Sequence, residues 1–387
     1  MMHFRSVIMN VDRPFSSRPA ASPIYPATVY ALADLDALER ISSGSEEGYI
    51  YARDRHPNGE MLAREIARLE NAQWGVVTAS GMGAIVASVL ALVKSGDRVL
   101  ASDQLYGRTT QFLGQELGRL GIETIWCDAC SLPVVDELLT QRPRLLVVET
   151  ISNPLLRVAD IPKLAEMCRR SDCILLVDNT FATPTLVRPL DLGAHLVIES
   201  LTKMIGGHSD GTLGIVVGND QSLNREIAAQ ATIWGMPGSP FDCWLTQRSL
   251  PTLSLRVHQA GNNAKGLADW LIDQKGVNKV IYPSRSDHPD CELARRLFSG
   301  PPGNVITFEI DGGRDAVNRF MRTCPTIPFC PSLGDVATTC SYPAGTSHRY
   351  LDAATRQRLG ITDGMIRLSV GIEPMEQIQE RLAPGLN

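Results

Sequence analysis

The chain has 387 residues, 44% of them hydrophobic and 20% charged, with a formal net charge of −5. That composition predicts a folded globular protein with room for a large core and two domains. The mild acidity argues against a nucleic-acid footprint, which needs a clustered basic face, and no apolar run of about 18 residues offers a membrane span.

Residues 1–60 are rich in Pro, Ser and Gly, with one helical piece at "LADLDALERI", and read as an extended N-terminal arm. "GEMLAREIARLENA" places Met61, Leu62, Ile66 and Leu69 at helical spacing. From residue 74 strands and helices alternate. "WGVVTAS" reads as a strand and "GMGAIVASVLALVKSG" as a helix closed by Gly96. "RVLASD", "RLLVVE", "CILLVD", "HLVIES" and "LGIVVG" are further apolar strands, with the amphipathic helix "ADIPKLAEMCRRSD" between two of them. Near-continuous apolar strands separated by helices predict an α/β fold with a mainly parallel sheet covered on both faces. A long helical region follows over 242–275, which Pro251 should bend or interrupt. The shorter elements "KVIYP", "NVITFEI" and "MIRLSVG" then suggest a smaller C-terminal α/β domain. The expected division is an arm over 1–60, a ligand-binding domain over 61–250 and a C-terminal domain over 251–387.

Nine cysteines are scattered along the chain, and "MMHFRSVIMN" lacks the apolar core of a secretory signal. An odd count without an export signal predicts reduced thiols and a cytoplasmic location. The CxxC formed by Cys127 and Cys130 has no second ligand pair, so no metal is expected and two ordinary thiols are the simpler reading.

In open α/β sheets ligands bind at the carboxyl ends of strands. After "WGVVTA" comes Ser80-Gly81-Met82-Gly83, a helix start whose free N–H groups favour an anion. "CILLVD" ends on Asp178, a carboxylate that needs a partner if desolvated. "HLVIES" is followed by Ser200, Thr202 and Lys203. Each feature alone has an ordinary reading: a strand–helix turn, a cap or salt bridge, a solvated lysine. Together they offer a phosphate cradle, a buried acid and an amine, which is what pyridoxal phosphate requires. A lysine becomes nucleophilic when desolvation or a nearby cation lowers its pKa. An NAD-dependent reading lacks the GxGxxG after the first strand.

"TASGMGAI", "VVDNTFATP", "TKMIGGHSDG" and "RLSVGIEP" carry a resemblance that runs from "PIYPATVY" to "MIRLSVGIEP". The sequence resembles the Cys/Met-metabolism family of pyridoxal-phosphate enzymes, which includes cystathionine γ-synthase, cystathionine γ- and β-lyases, methionine γ-lyase and homoserine sulfhydrylases. The resemblance implies a fold-type I PLP-dependent transferase-like architecture. It implies Lys203 as the Schiff-base lysine, Asp178 on the pyridine nitrogen with Thr180 beside it, and Asn153 near the ring hydroxyl. Gly81, Met82, Ser200 and Thr202 would hold the phosphate, and Tyr106 would stack on the ring and share proton movement with Lys203. Tyr51 and Arg53 would reach the phosphate of an adjacent subunit, so a shared-site dimer within a tetramer is implied. Arg367 would clamp the substrate α-carboxylate, and Ser332 would contact the lysine and substrate region.

Several positions depart from the family pattern: His56-Pro57-Asn58 in the arm, Met204 after the lysine, Arg108 after "LYG", Pro331 before the serine of "SLG" and Asp335 after it. Arg108 either binds a distal substrate carboxylate, pairs with an acid such as Asp335, or turns outward. The expected activity is elimination at Cβ or Cγ of a sulfur amino acid such as cystathionine, methionine or cysteine. The alternatives are γ-replacement on an activated homoserine and a non-catalytic protein that retains the cofactor. The expected ligand is a small amino acid.

Overall fold

The apolar strand segments pair into two separate sheets. The computed structural model describes residues 19–386, so the first 18 residues of the expected arm, and Asn387, lie outside the described residues. The larger sheet has seven strands: β1 (Trp74–Thr78), β2 (Arg98–Ser102), β3 (Glu123–Cys127), β4 (Leu145–Glu149), β5 (Ile174–Asp178), β6 (Leu196–Glu199) and β7 (Gly214–Gly218). Their order across the sheet is β1-β7-β6-β5-β4-β2-β3. The pairs from β3 to β6 are parallel, and β7 is antiparallel to both of its neighbours. The expectation of a mainly parallel sheet holds, with "LGIVVG" running against the rest. The carboxyl ends of β1, β2, β4, β5 and β6 therefore share one edge.

Alternate residues of the central strands go to opposite faces, as strand geometry requires. Leu146, Val148, Leu175 and Val177 pack in one hydrophobic cluster, and Leu145, Val147, Leu176 and Ile198 in another. Helices cover both faces, which is why these strands read as continuous apolar runs. Strand β3, "ETIWC", was not visible in the sequence. It is a partly exposed edge strand starting on a glutamate, so it lacks that signature. The helix after β1 spans Gly81–Leu92 and stops short of Gly96, with Val93 already extended.

The smaller sheet contains β8 (Val277–Ile281), β9 (Val305–Ile310), β10 (Thr339–Ser341) and β11 (Met365–Ser369) in the order β10-β11-β9-β8, all antiparallel. It has its own core, in which the rings of Phe308 and Phe320 meet edge to face at 5.7 Å. The connecting helical region is interrupted as expected. Helix Pro240–Ser249 ends in a 3-10 turn, Leu250–Thr252, and helix Leu253–Ile272 follows. Pro251 sits in that turn, where its missing N–H costs no helical hydrogen bond. No helix among the described residues is long and apolar enough to cross a membrane.

The altered arm motif ties residues 23–25 to the helix that begins at Pro57, and that helix to the loop at Gly238. His56 caps helix Pro57–Leu69: its Nδ1 accepts from the Gly59 amide at 3.0 Å, while Nε2 lies 2.9 Å from the Gly238 carbonyl oxygen. A ring that accepts on one nitrogen and donates from the other is neutral, and burial lowers the His56 pKa in the same sense. Asn58 is fully buried; it accepts from the Tyr25 amide and donates to the Pro23 carbonyl, both at 2.8 Å. Replacing Asn58 with Ala strands both backbone groups, at a cost of about 1–3 kcal/mol. Asn58→Ala should therefore speed chymotryptic cleavage after Tyr30 and Leu32 and lower the thermal midpoint; an unchanged digestion pattern would show that Asn58 does not fasten this segment.

Candidate active site

The carboxyl edge of the large sheet opens into a cavity of about 470 Å³. At the end of β1, Ser80 accepts from the Gly83 amide at 3.0 Å and starts helix Gly81–Leu92. The first-turn amides of Gly81 and Met82 have no helical carbonyl to bond. A Cβ at Gly81 would come within 2.8 Å of the Ser200 Cβ, so glycine lets the two loops meet. Gly81, Met82, Ser200 and Thr202 line one wall together, a set that could hold a phosphate. Thr202 is itself held at the start of β7, where its Oγ1 accepts from the Leu213 amide at 3.1 Å.

Asp178 closes β5 in the cavity wall. Thr180 donates to its Oδ1 twice, from the backbone N–H at 3.1 Å and from Oγ1 at 2.5 Å. Thr180 in turn accepts from the Ser200 amide at 2.8 Å, tying the ends of β5 and β6. Oδ2 has no hydrogen-bond partner among the described residues. Burial raises the Asp178 pKa, and no cation pairs with the carboxylate among the described residues.

Lys203 lies in the turn after β6. Its Nζ donates to Ser332 Oγ at 3.0 Å. Burial, and then the Arg367 charge, lowers its pKa to about 8. Arg367, on β11, is 4% exposed. It donates from Nη1 to Asn153 Oδ1 and from Nη2 to the Ser332 carbonyl, both at 2.9 Å. Its Nε is buried without a partner. Burial lowers the Arg367 pKa to about 10, a cost that an incoming carboxylate would offset.

The other expected residues divide. Tyr106 lines the cavity at 42% exposure, and Asn153, Thr180 and Ser332 line it too. Tyr51 and Arg53 do not join them within one chain. The Arg53 guanidinium lies 4.8 Å from the Tyr51 ring centroid and 3.9 Å from Asp54. Arg108 lines the rim, donates to Gln111 Oε1 at 2.8 Å and covers the Tyr350 ring at 4.4 Å. The suggested Arg108–Asp335 pair does not form: Asp335 instead accepts from Ser209 Oγ and, at 2.8 Å, from the Ala337 amide. Met204 is buried, and its carbonyl accepts from Arg256. Cys127 and Cys130 are free thiols that burial pushes up to about 12, and no metal-binding cluster is found among the described residues.

Two contributors escaped the sequence reading. Glu149 ends β4 and accepts from the Tyr106 amide at 2.5 Å, so it places the tyrosine; burial, and then Asp178, holds its pKa well above the usual range. It had been counted only as a strand end. Arg256 donates to the carbonyls of Met204, Ile205 and Ser249, bracing the turn that carries Lys203. Nothing in the helical pattern of "LSLRVHQAG" distinguishes it from a surface arginine.

An anion cradle, a buried carboxylate with a free oxygen and a low-pKa amine suit pyridoxal phosphate. Comparison with known proteins gives the same answer. Residues 6–387 match the family described as Cys/Met metabolism PLP-dependent enzyme. The chain is 38% identical over 351 residues to an O-succinylhomoserine sulfhydrylase of Pseudomonas aeruginosa, covering 91% of this chain and 86% of that one. It is 36% identical to a cystathionine gamma-lyase of Bacillus subtilis, covering 94% and 93%. The crystal structure of cystathionine gamma synthase from Xanthomonas oryzae pv. oryzae in complex with cystathionine superposes with a TM-score of 0.90 at 34% identity, covering 95% and 92%. The half-buried lysine, the strand-end carboxylate and the near-complete match together make this chain a member of the Cys/Met-metabolism family of pyridoxal-phosphate-dependent enzymes.

Proposed function

We propose that the enzyme eliminates a β- or γ-substituent from a sulfur amino acid such as cystathionine, methionine or cysteine. The carrying observation is Arg367: a buried guanidinium with an unpartnered Nε, sharing Ser332 with the Lys203 amine. A guanidinium so placed suits a substrate α-carboxylate and brings Cα towards the amine. Pyridoxal phosphate, when bound, supplies a protonated ring that takes up the electron pair left on Cα.

In this reading Gly81, Met82, Ser200 and Thr202 would hold the phosphate, and Asp178, with Thr180, would pair with the ring nitrogen. Asn153 would serve the ring hydroxyl and Tyr106 the ring face. Lys203 would hold the cofactor aldehyde; its amine is placed to take a Cα proton and to return a proton further along the side chain, and Ser332 steadies it. Tyr51 and Arg53 serve the phosphate of an adjacent copy, and both stand outside their own chain's cavity. That arrangement makes a shared-site dimer the minimal unit, with a tetramer of two such dimers. Residues 1–60 act as the arm, 61–250 as the cofactor-binding domain and 251–387 as the C-terminal domain. The free thiols accord with a cytoplasmic enzyme. A second reading, γ-replacement on an activated homoserine, uses the same residues and draws support from the sulfhydrylase and synthase relatives.

Lys203→Ala should reduce 2-oxo acid formation by at least about 10³-fold across a panel of cystathionine, methionine, cysteine and O-acyl-homoserines. The carbon length of the keto product identifies the bond broken, and retained turnover in the variant would remove Lys203 from the chemistry. In the cofactor-free chain the Lys203 amine should titrate near 8, so it is largely neutral above that pH instead of only above 10.5. Competitive acetylation as a function of pH, read by mass spectrometry, measures this midpoint. Arg367→Gln removes one of the two causes and should move it upward.

A further inference from the structure

Two arginines stand at the cavity rim without an acid to pair with. Arg108 and Arg349 both line the cavity, and neither has a carboxylate within ion-pair distance among the described residues. They come from separate segments that Gly107 brings together: a Cβ at Gly107 would overlap the Ser347 carbonyl oxygen, so the backbone of one lies directly on the other. Both guanidiniums lie against the ring of Tyr350. Arg108 lies 4.4 Å and Arg349 4.8 Å from its ring centroid, and Arg349 Nη2 donates to its hydroxyl at 2.6 Å. The ring holds both guanidiniums by cation–π attraction and spends none of their charge. Arg108 gives one N–H to Gln111, and the remaining donors of its fork are uncommitted. The cavity thus has one buried arginine deep inside, Arg367, and a paired cationic mouth.

We infer that this mouth selects amino-acid substrates whose departing group ends in a carboxylate, with Arg108 and Arg349 binding that distal carboxylate while Arg367 holds the α-carboxylate. The inference rests on the reading of the cavity as the substrate site and narrows it to a class: thioether or ester substrates with an acidic far end, in preference to those with a methyl end. Like charges placed side by side on one aromatic ring repel unless an anion joins them, so the arrangement is completed by a ligand. Tyr350 is a positioning residue in this scheme, acting through the two guanidiniums.

The test uses holoenzyme and two independent readouts. The first is the ratio of kcat/KM for O-succinyl-L-homoserine over O-acetyl-L-homoserine, and for L-cystathionine over L-methionine. Arg108→Gln combined with Arg349→Gln should lower these ratios at least about tenfold, mainly through KM for the acidic substrate. Arg108→Lys should retain part of the preference, and Tyr350→Leu should lower it less than the double change. The second readout is calorimetric binding of suberate, which has cystathionine's chain length and two carboxylates but no amine, against octanoate, which has one. The double variant should lose at least about tenfold in suberate affinity, and the suberate affinity of the wild type should fall with added salt. A ratio within twofold of wild type, or suberate bound equally by wild type and the double variant, overturns the inference. Should no substrate be turned over by the wild type, the proposed activity fails, and the suberate comparison still decides the role of the two arginines.

Discussion

Asp178 and Lys203 are half-buried at neighbouring strand ends and do not pair with each other. Among the described residues no ion pair joins them, and Arg367, more deeply buried, bonds only to Asn153 and the Ser332 carbonyl. Removing charges from water without partners is costly, and proteins ordinarily avoid it by pairing or by neutralising the group. Here the pKa directions record the cost: up for Asp178, down for Lys203 and Arg367. The empty electrostatic positions have the signs of a molecule with a cationic ring and anionic carboxylate and phosphate groups.

The two sheets meet through this cavity. The large sheet supplies the lysine, the carboxylate and the anion cradle. The small sheet supplies Arg367, and the loop before β10 supplies Ser332. Asn153 accepts from Arg367, and the Thr307 hydroxyl on β9 donates to the neighbouring Pro154 carbonyl at 2.6 Å, so the small sheet is fastened to the loop after β4. Arg256, from the long connecting helix, braces the lysine turn from behind. A shift of the C-terminal elements would therefore move Arg367 and the lysine's hydrogen-bond partner as one body.

Much of the large sheet was legible because its strands are buried on both faces and read as apolar runs. The carboxylate, the hydroxyls and the lysine were legible because each follows such a run directly, and strand ends are where ligands collect. The edge strand β3 was not, since one-sided burial leaves no run. The direction of β7 was not either, because an apolar pentapeptide carries no mark of polarity. Glu149 and Arg256 act through backbone groups of residues distant in sequence, and such bonds have no local signature. The departures at His56 and Asn58 had no role legible in the sequence; in the fold both are buried and tie residues 23–25 and Gly238 to one helix start. Arg108 was visible as unusual, but its partner ring, 242 positions further on, became apparent only through the folded contact.

The reversed seventh strand has a geometric corollary. The chain leaves the cavity rim at Glu199 and rejoins it at Gly214, so both ends of the intervening segment are moored to the same side of the sheet. Other connections cross from one rim to the other and can lengthen on the far side without disturbing the chemistry. This one has no far side: any residue gained or lost between its moorings changes the path of the backbone that carries the amine. Variation in chain length among related proteins should thus be scarce here and concentrated in the crossovers.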